Sequence, residues 1–200
     1  MKKIYLLFIV LTISNIACAQ QKNDTLFVAH WNVENLFDAL DDAKTEDEEF
    51  LPSGSKGWND ERLDKKMYNL SRLIRSMNND NGPDLLGVCE VEHQFLLDTM
   101  ITKYLSDKSY KTAYIESLDG RGIDNGIIYN SKRFSLLNVK GHRVDLGVEY
   151  DTRFLLEGIF LFEEKDTIYF FVNHWPSRRG GEKESEPKRI SAAKTLRNVV

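Results

Sequence analysis

Carboxylates at the ends of apolar strands are the first sign of chemistry in this sequence. The uncharged run Leu85–Cys89 is followed directly by Glu90 and, two residues later, by Glu92. An apolar run this short, opening after a turn, predicts a strand buried on both faces. A carboxylate at the end of such a strand is costly unless it is paired, and a divalent cation would remove that cost. The alternative is that the strand has ended and both Glu side chains are solvated, which is the usual state of Glu.

A second polar pair follows the first predicted strand, residues 25–31. Asn32 and Glu34 lie two positions apart, so an extended backbone would direct both side chains to the same side. An amide oxygen and a carboxylate on one face suit a hard cation such as Mg²⁺. A polar strand end that leads into a turn is the alternative interpretation.

Basic residues follow another apolar strand, over residues 168–172. That strand leads to His174, and Arg178-Arg179-Gly180-Gly181 comes shortly afterwards. Histidine exchanges a proton near neutral pH, and arginine offers planar donors that match phosphate oxygens. The turn 121–126, which begins with Arg121, is a further polar cluster at a strand end. These clusters predict contacts with a phosphate group, and a structural His beside a solvated basic loop is the alternative.

Hydrophobic periodicity predicts the elements that position these residues. Helices are predicted over 59–78, 93–105 and 185–200, and strands over 25–31, 85–89, 110–115, 125–129, 134–139, 154–162 and 167–174. The order of elements in the first half of the sequence predicts a βαβ unit, and the later hairpins indicate antiparallel pairing of strands. Ser185 is the predicted cap of the last helix, with Pro187 in its first turn. The acidic stretch 38–49 and the loop 51–57 predict a mobile, solvated surface excursion without calcium-loop spacing.

The beginning of the chain has the pattern of an export signal. A basic start, an apolar stretch over 4–13 and a small-x-small ending at 17–19 are typical of a signal peptide. Cleavage would make Gln20 the mature N-terminus, and acylation of Cys18 as a lipoprotein is the alternative. We therefore expect residues 1–19 to be a signal peptide and the mature protein to be periplasmic or extracellular.

Composition limits the classes of function. The sequence has 27 Lys and Arg against 31 Asp and Glu, and removal of the leader takes two of the lysines. This acidic balance argues against binding nucleic acid through bulk charge, so a phosphate site must be a local patch. Cys89 would be the only cysteine left, which excludes an internal disulfide and predicts a small buried side chain. Residues 20–200 are predicted to form one domain without a transmembrane segment or an obligate protein partner.

Three motifs together carry a resemblance to a known family. The segments Trp31–Phe37, Asp84–Val91 and Val172–Trp175 each close an apolar strand and stand in the order found in the endonuclease/exonuclease/phosphatase family. That superfamily includes DNase I, the abasic-site endonucleases, neutral sphingomyelinases and inositol polyphosphate 5-phosphatases. The turn 121–124 is similar to the corresponding part of secreted bacterial members. The resemblance covers nearly all of residues 20–200 and implies an α+β, DNase I-like, four-layer α/β/β/α sandwich.

The resemblance also implies roles for individual residues. Glu90 corresponds to the principal Mg²⁺ ligand, with Mn²⁺ as an alternative metal, and Glu34 to a second acidic group near the metal. Asn32 corresponds to a residue that orients the metal ligand or contacts phosphate. His174 corresponds to a histidine that stabilises the phosphoryl oxygens. The arginines assigned to substrate phosphate from their residue type are Arg121, Arg178 and Arg179.

Two family motifs are missing from the 200 residues. The family carries a Gly-Asp-Phe-Asn-type motif after the helix predicted at 185–200 and a closing Asp-His pair. We therefore expect this chain to be the N-terminal part of an incomplete domain, without appreciable activity of its own. The expected function is a secreted, magnesium-dependent phosphodiesterase, specifically a DNase-like endonuclease acting on nucleic acid or another phosphodiester. The alternatives are a phosphomonoesterase or sphingomyelinase-type enzyme on the same scaffold and a non-catalytic phosphate-binding module.

Overall fold

A computed structural model describes residues 25–146, 151–178 and 180–200; the predicted signal peptide and Arg179 lie outside these ranges. The strands are β1 Val28–Leu36, β2 Leu85–Val91, β3 Tyr110–Tyr114, β4 Asp124–Asn130, β5 Phe134–His142, β6 Leu155–Phe162 and β7 Asp166–Val172. The helices are α1 Asp60–Ser76, α2 Gln94–Tyr104 and α3 Glu182–Val199, and a 3-10 turn spans Glu48–Phe50. Each predicted element is present, with boundaries that differ by a few residues.

The first sheet has the strand order β1-β2-β4-β3. β1 and β2 are parallel and are joined through α1, as the predicted βαβ unit requires. β4 runs antiparallel to both β2 and β3. β2 is therefore a central strand, and all of its side chains are buried except that of Glu90, which is partly exposed. This arrangement confirms the prediction of a buried strand that ends at a carboxylate.

The second sheet, β5-β6-β7, is antiparallel throughout and packs face to face on the first. The core between the sheets combines side chains of both, including Ile127 from β4 and Phe160 from β6. The Phe160 ring lies 5.1 Å from the Tyr129 ring and 5.8 Å from the Phe134 ring. Aromatic contacts of this kind account for much of the apolar area that holds two stacked sheets together.

Helices form the two outer layers. The apolar faces of α1 and α2 cover the first sheet, with Met67, Leu70, Ile74, Leu97 and Met100 in its core. α3 contributes Ala192 and Leu196 to a smaller cluster beside the second sheet. The result is the four-layer α/β/β/α sandwich expected for a DNase I-like protein. Among the described helices, none has the length and apolar character needed to cross a bilayer.

The start of α3 differs from the prediction. The helix begins at Glu182 with Gly181 as its N-terminal cap, so the proposed cap at Ser185 is wrong by four residues. The Ser185 hydroxyl instead donates to the Gly181 carbonyl oxygen at 2.6 Å, within the first turn. Gly181 has φ 123°, a conformation open to glycine and strained for other residues. Pro187 consequently lies inside the helix and not at its beginning.

The acidic stretch after β1 is folded onto the body of the protein. The Phe50 ring stacks on Phe37 at 4.1 Å, and the indole Nε1 of Trp58 donates to the Phe37 carbonyl oxygen at 3.0 Å. Asp47, in the middle of the acidic run, is 1% exposed. The prediction of a solvated surface segment agrees with the exposure of most of residues 38–49, and Asp47 is the exception. Aromatic contacts at both ends of the segment hold it against the body of the protein.

Burial predicts that the Cys89 thiol is inert in the folded protein. The side chain is 0% exposed, and burial raises the thiol pKa to about 12. Because the thiolate is the reactive form, we expect no labelling of Cys89 by a disulfide reagent at pH 8 until denaturant is added. Peptide mass mapping of the labelled protein measures this directly. Modification of Cys89 in the native state at the rate of a free thiol would contradict the packing of β2.

Candidate active site

A break in the pairing of β2 with β1 and β4 determines the position of Glu90. The pairing of β1 with β2 runs from Asn32↔Cys89 directly to Leu36↔Val91, so three residues of β1 oppose Glu90 alone. On the other side of β2, the register with β4 also skips Glu90. Bulges of this kind redirect one side chain and often stand next to active sites. Glu90 therefore pairs with no residue of β1 or β4. It lies next to the last residue of β2, where the loops begin.

Backbone strain is concentrated at the same bulge. Glu34 and Asn35 both have φ 59°, and Glu90 has φ 67°. Left-handed φ values are uncommon for residues other than glycine and cost on the order of 1–3 kcal/mol each. The prediction that Glu34 follows Asn32 in a regular extended backbone is therefore wrong. The turn still keeps the two residues in contact, because the Glu34 amide donates to Asn32 Oδ1 at 2.8 Å.

Glu90 is held by three neighbours. The Asn32 amide Nδ2 donates to Glu90 Oε1 at 2.9 Å, and the Asn35 backbone amide donates to Oε2 at 3.1 Å. His174 Nε2 lies 3.2 Å from Oε1. Asn32 therefore orients the carboxylate with its amide nitrogen, while its oxygen accepts from the backbone of Glu34. Glu90 Oε2, which accepts only from Asn35, retains a lone pair for a further contact.

None of the groups in direct contact with Glu90 neutralises its negative charge. An amide, a backbone N–H and an imidazole surround it, and none of these carries a permanent positive charge. The Glu90 side chain is only 15% exposed, so water screens it poorly. A carboxylate in this setting fits a hard divalent ion, which accepts oxygen ligands. Glu90 is therefore chemically suited to supply one oxygen ligand to such an ion, and its role as the principal ligand stays a prediction from the sequence.

His174 is a neutral imidazole at this site. Burial lowers its pKa, and the nearby charge of Arg153 lowers it further, against the opposing effect of Glu90. The histidine follows β7 by two residues.

Asn125, on β4, donates to the carbonyl oxygens of Phe154 at 2.7 Å and Val172 at 3.4 Å. One amide side chain thus fastens the segments that carry Arg153 and His174 to the first sheet.

Arg153 is a site residue that the sequence analysis missed. It is 8% exposed, and its Nε and Nη1 atoms make no hydrogen bond within the described structure. Its Nη1 forms an ion pair with Asp119 Oδ2 at 3.3 Å without hydrogen-bond geometry. Buried guanidinium donors without acceptors fit an anion such as phosphate. A single Arg before an apolar strand resembles any strand flank, so no local signal distinguished it. Asn125, by contrast, stood in the polar turn already singled out.

Glu34 and its neighbour Lys66 border the site. Glu34 is exposed, and the Lys66 ammonium donates to its backbone carbonyl oxygen. Burial lowers the pKa of Lys66, and the charges of Glu34 and Glu90 act in the opposite direction. Lys66 is therefore a cation within electrostatic reach of Glu90 that the sequence analysis did not identify. Glu34 lies beside the site, and no contact within the described structure joins its carboxylate to Glu90.

The predicted phosphate arginines differ in position. Arg121 lies close enough for its charge to lower the pKa of His174, with its Nε 3.8 Å from Asp119 Oδ1. The Arg178 side chain is 70% exposed and pairs with Glu182 of α3 at 4.0 Å. The structure thus brings Arg121 to the cluster around His174, whereas Arg178 is held at the surface by α3.

Replacing Arg153 should weaken anion binding specifically. We expect Arg153→Met to raise the inhibition constant of inorganic phosphate by about 10–100-fold, because hydrogen bonds to charged groups contribute about 1.5–3 kcal/mol. Arg178→Met is the matched control, since its side chain is solvated, and should leave that constant unchanged. Competitive inhibition, measured with the protein expressed from its intact gene, gives both values. Equal effects of the two substitutions would remove Arg153 from the site.

Comparisons with known proteins agree with this geometry. Residues 27–200 match the family model described as Endonuclease/Exonuclease/phosphatase family. No individually curated protein matches the chain significantly.

Solved structures share the fold at low sequence identity. A humanized D. rerio TDP2 is 18% identical with a TM-score of 0.53, over 87% of this chain and 57% of that one. The mannosyl-6-phosphatase of Bacteroides thetaiotaomicron is 16% identical with a TM-score of 0.54, over 88% and 58%. The human Nocturnin catalytic domain with bound sulfate is 20% identical with a TM-score of 0.53, over 87% and 59%.

The chain therefore spans less than two thirds of the length of these structures. The family match itself extends over most of the sequence and includes β1, β2 and the His174 segment. On that match, and with a four-layer fold that places Glu90, His174 and Arg153 together, the chain belongs to the endonuclease/exonuclease/phosphatase family.

Proposed function

We propose that this protein is an exported, magnesium-dependent phosphodiesterase and that its substrate is DNA. The observation that carries the proposal is the meeting of Glu90, His174 and Arg153 at one end of the two sheets. A carboxylate for a hard cation lies 3.2 Å from an imidazole, and a buried guanidinium with free donors lies within electrostatic reach of both. This is the set of charges that phosphoryl transfer requires, because catalysis there depends on positioning and electrostatic stabilisation.

Each residue of the site has a separate role in binding the phosphate group and orienting Glu90. Arg153, whose Nε and Nη1 make no hydrogen bond and whose Nη1 is ion-paired with Asp119, binds a non-bridging phosphate oxygen. Neutral His174 has one N–H, which lies 3.2 Å from Glu90 in the free protein, and this N–H donates to another phosphoryl oxygen when the substrate is bound. Asn32 keeps the Glu90 carboxylate oriented through its hydrogen bond to Oε1. When bound at Glu90, a divalent ion supplies positive charge to the oxygens of the reacting phosphate.

Substrate hydrolysis tests this assignment. The protein expressed from its intact gene is stripped of metal and incubated with plasmid DNA, sphingomyelin or a chromogenic phosphomonoester, with and without Mg²⁺. The proposal predicts Mg²⁺-dependent cutting of DNA, with Mn²⁺ as a substitute. Metal-dependent release of inorganic phosphate from the monoester alone would replace the nuclease with a phosphatase. Hydrolysis of none of the three, with phosphate binding retained, would favour a non-catalytic binding module.

A cavity beside Arg153 favours the phosphatase as the second candidate. It has a volume of about 640 Å³ and is lined by both cations and carboxylates, including Arg121, Asp119, Asp151 and Glu184. Carboxylates accept hydrogen bonds from hydroxyl groups and repel a polyanionic strand. A sugar phosphate would satisfy both kinds of lining residue, and one structural neighbour is named a mannosyl-6-phosphatase.

A further inference from the structure

Two buried carboxylates, one in the acidic segment and one directly after β2, have no role in the candidate active site. Asp47 is 1% exposed and Glu92 is 2% exposed. Asp47 Oδ2 accepts from the Asp42 amide at 3.0 Å, and Glu92 Oε2 accepts from the Asp38 amide at 2.7 Å. Neither carboxylate forms an ion pair with a Lys or Arg in the described ranges. Buried charges are normally paired or bound to a metal, so both need a compensating cation.

The ligand atoms needed for such a cation are already assembled. One atom from each of Asp38, Glu92 and His93 lies within 4.8 Å of the other two. Asp47 Oδ1 is buried without any hydrogen-bond partner. Burial raises the pKa of Glu92, and the charge of Asp47 contributes to this rise, so these two carboxylates lie within electrostatic reach of each other.

His93 has the orientation expected of a metal ligand. Its Nδ1 lies 2.9 Å from Glu116 Oε1, which leaves Nε2 to coordinate. Metal-binding histidines usually hold a carboxylate with their second nitrogen, and this contact fixes the ring and increases its basicity. The imidazole alone does not balance the site. Even a charged His93 faces three carboxylates, those of Asp38, Glu92 and Glu116.

We propose that Asp38, Glu92 and His93 bind one structural divalent cation of the zinc type, with the Asp47 carboxylate beside it. Two carboxylate oxygens and one imidazole nitrogen are ligands that Zn²⁺ accepts, at about 2.0–2.2 Å, whereas Mg²⁺ and Ca²⁺ favour oxygen alone. The ion joins the acidic segment after β1 to the beginning of α2. It is independent of Glu90 and of the function proposed above.

Metal titration tests the site without any activity measurement. Metal-free protein carrying Glu90→Gln, which disables the candidate active-site ligand, is titrated with Zn²⁺ by calorimetry and with Co²⁺ by visible absorption. We expect one equivalent of Zn²⁺ to bind and to raise the melting temperature, because a ligand specific to the native state stabilises it. His93→Gln and Asp38→Asn should weaken binding at least about 10-fold.

Two further variants serve as controls for the Zn²⁺ titration. Asp41→Asn removes an exposed carboxylate of the same segment and should leave Zn²⁺ affinity unchanged. Asp47→Asn retains the three proposed ligands and should keep the one-equivalent stoichiometry and the Co²⁺ absorption, even where another variant fails to fold. The proposal is overturned if no Zn²⁺ binds, if Glu90→Gln abolishes the binding seen in the unsubstituted protein, or if Ca²⁺ displaces Zn²⁺ at equal concentration.

Discussion

Replacing Glu90 with Gln should abolish Mg²⁺ binding at the candidate active site and lower turnover by about 10²–10³. The substitution keeps the size of the side chain and an oxygen that can accept from Asn32. It removes the charge that attracts the cation and turns an N–H₂ group toward the Asn35 amide or His174, where only acceptors are useful. Isothermal titration with Mg²⁺ and steady-state kinetics of the protein expressed from its intact gene measure the two effects.

Glu92→Gln is the matched control for that substitution. Glu92 lies two residues further along the chain, just past the end of β2, is 2% exposed and accepts from the Asp38 amide. Its loss should lower stability and leave Mg²⁺ binding at Glu90 intact. Equal loss of Mg²⁺ binding in both variants would show that the metal ligand has been assigned to the wrong carboxylate.

Removing the His174 imidazole should lower turnover by about 10²–10⁴ while Mg²⁺ affinity stays nearly unchanged. The reason is that Mg²⁺ prefers oxygen ligands, so His174 acts on the phosphoryl oxygens and only contacts Glu90. His174→Ala is compared with His142→Ala, which removes an imidazole paired with Glu157 at 2.6 Å on the second sheet. The control should change stability and not turnover. Loss of Mg²⁺ binding in His174→Ala would contradict this role.

The lowered pKa of His174 makes both the stability and the activity of the protein depend on pH. Between its folded pKa and about 6.5, the unfolded chain binds a proton at this residue that the folded protein does not. This contribution to stability is therefore complete above pH 6.5 and is lost as the pH falls toward the folded pKa. We expect the acidic limb of the kcat/KM profile that belongs to His174 to lie below pH 6.5. A His174 NMR titration with a midpoint above 6.5 would contradict the burial of the imidazole.

The sequence predicted the scaffold because its signals are local. Apolar runs marked β2 and β7, and the three-and-four spacing of α1 identified a helix that buries Met67 and Ile74. Glu90 was found because a charge at the end of a buried strand is anomalous by itself. His174 was found because an apolar strand led directly to it.

The remaining parts depend on contacts distant in sequence. Arg153 becomes a site residue only when the clamp by Asn125 brings the start of β6 next to the end of β7. The strained turn at Glu34 follows from a bulge that β1 and β2 make together, which neither strand reveals alone. The burial of Asp47 follows from the folding of the acidic segment against the protein, which its charge-rich local sequence does not indicate. In each case the local pattern was that of an ordinary surface residue.

The most direct test of the central claim is a crystal of the intact gene product soaked with Mn²⁺ and inorganic phosphate and measured at the manganese absorption edge. The account predicts anomalous density within coordination distance of a Glu90 carboxylate oxygen. It also predicts a phosphate between that ion and the Arg153 guanidinium, with His174 in hydrogen-bond contact with a phosphate oxygen. Density at Asp38, Glu92 and His93 alone, with Glu90 free and no phosphate at Arg153, would contradict the assignment of the active site.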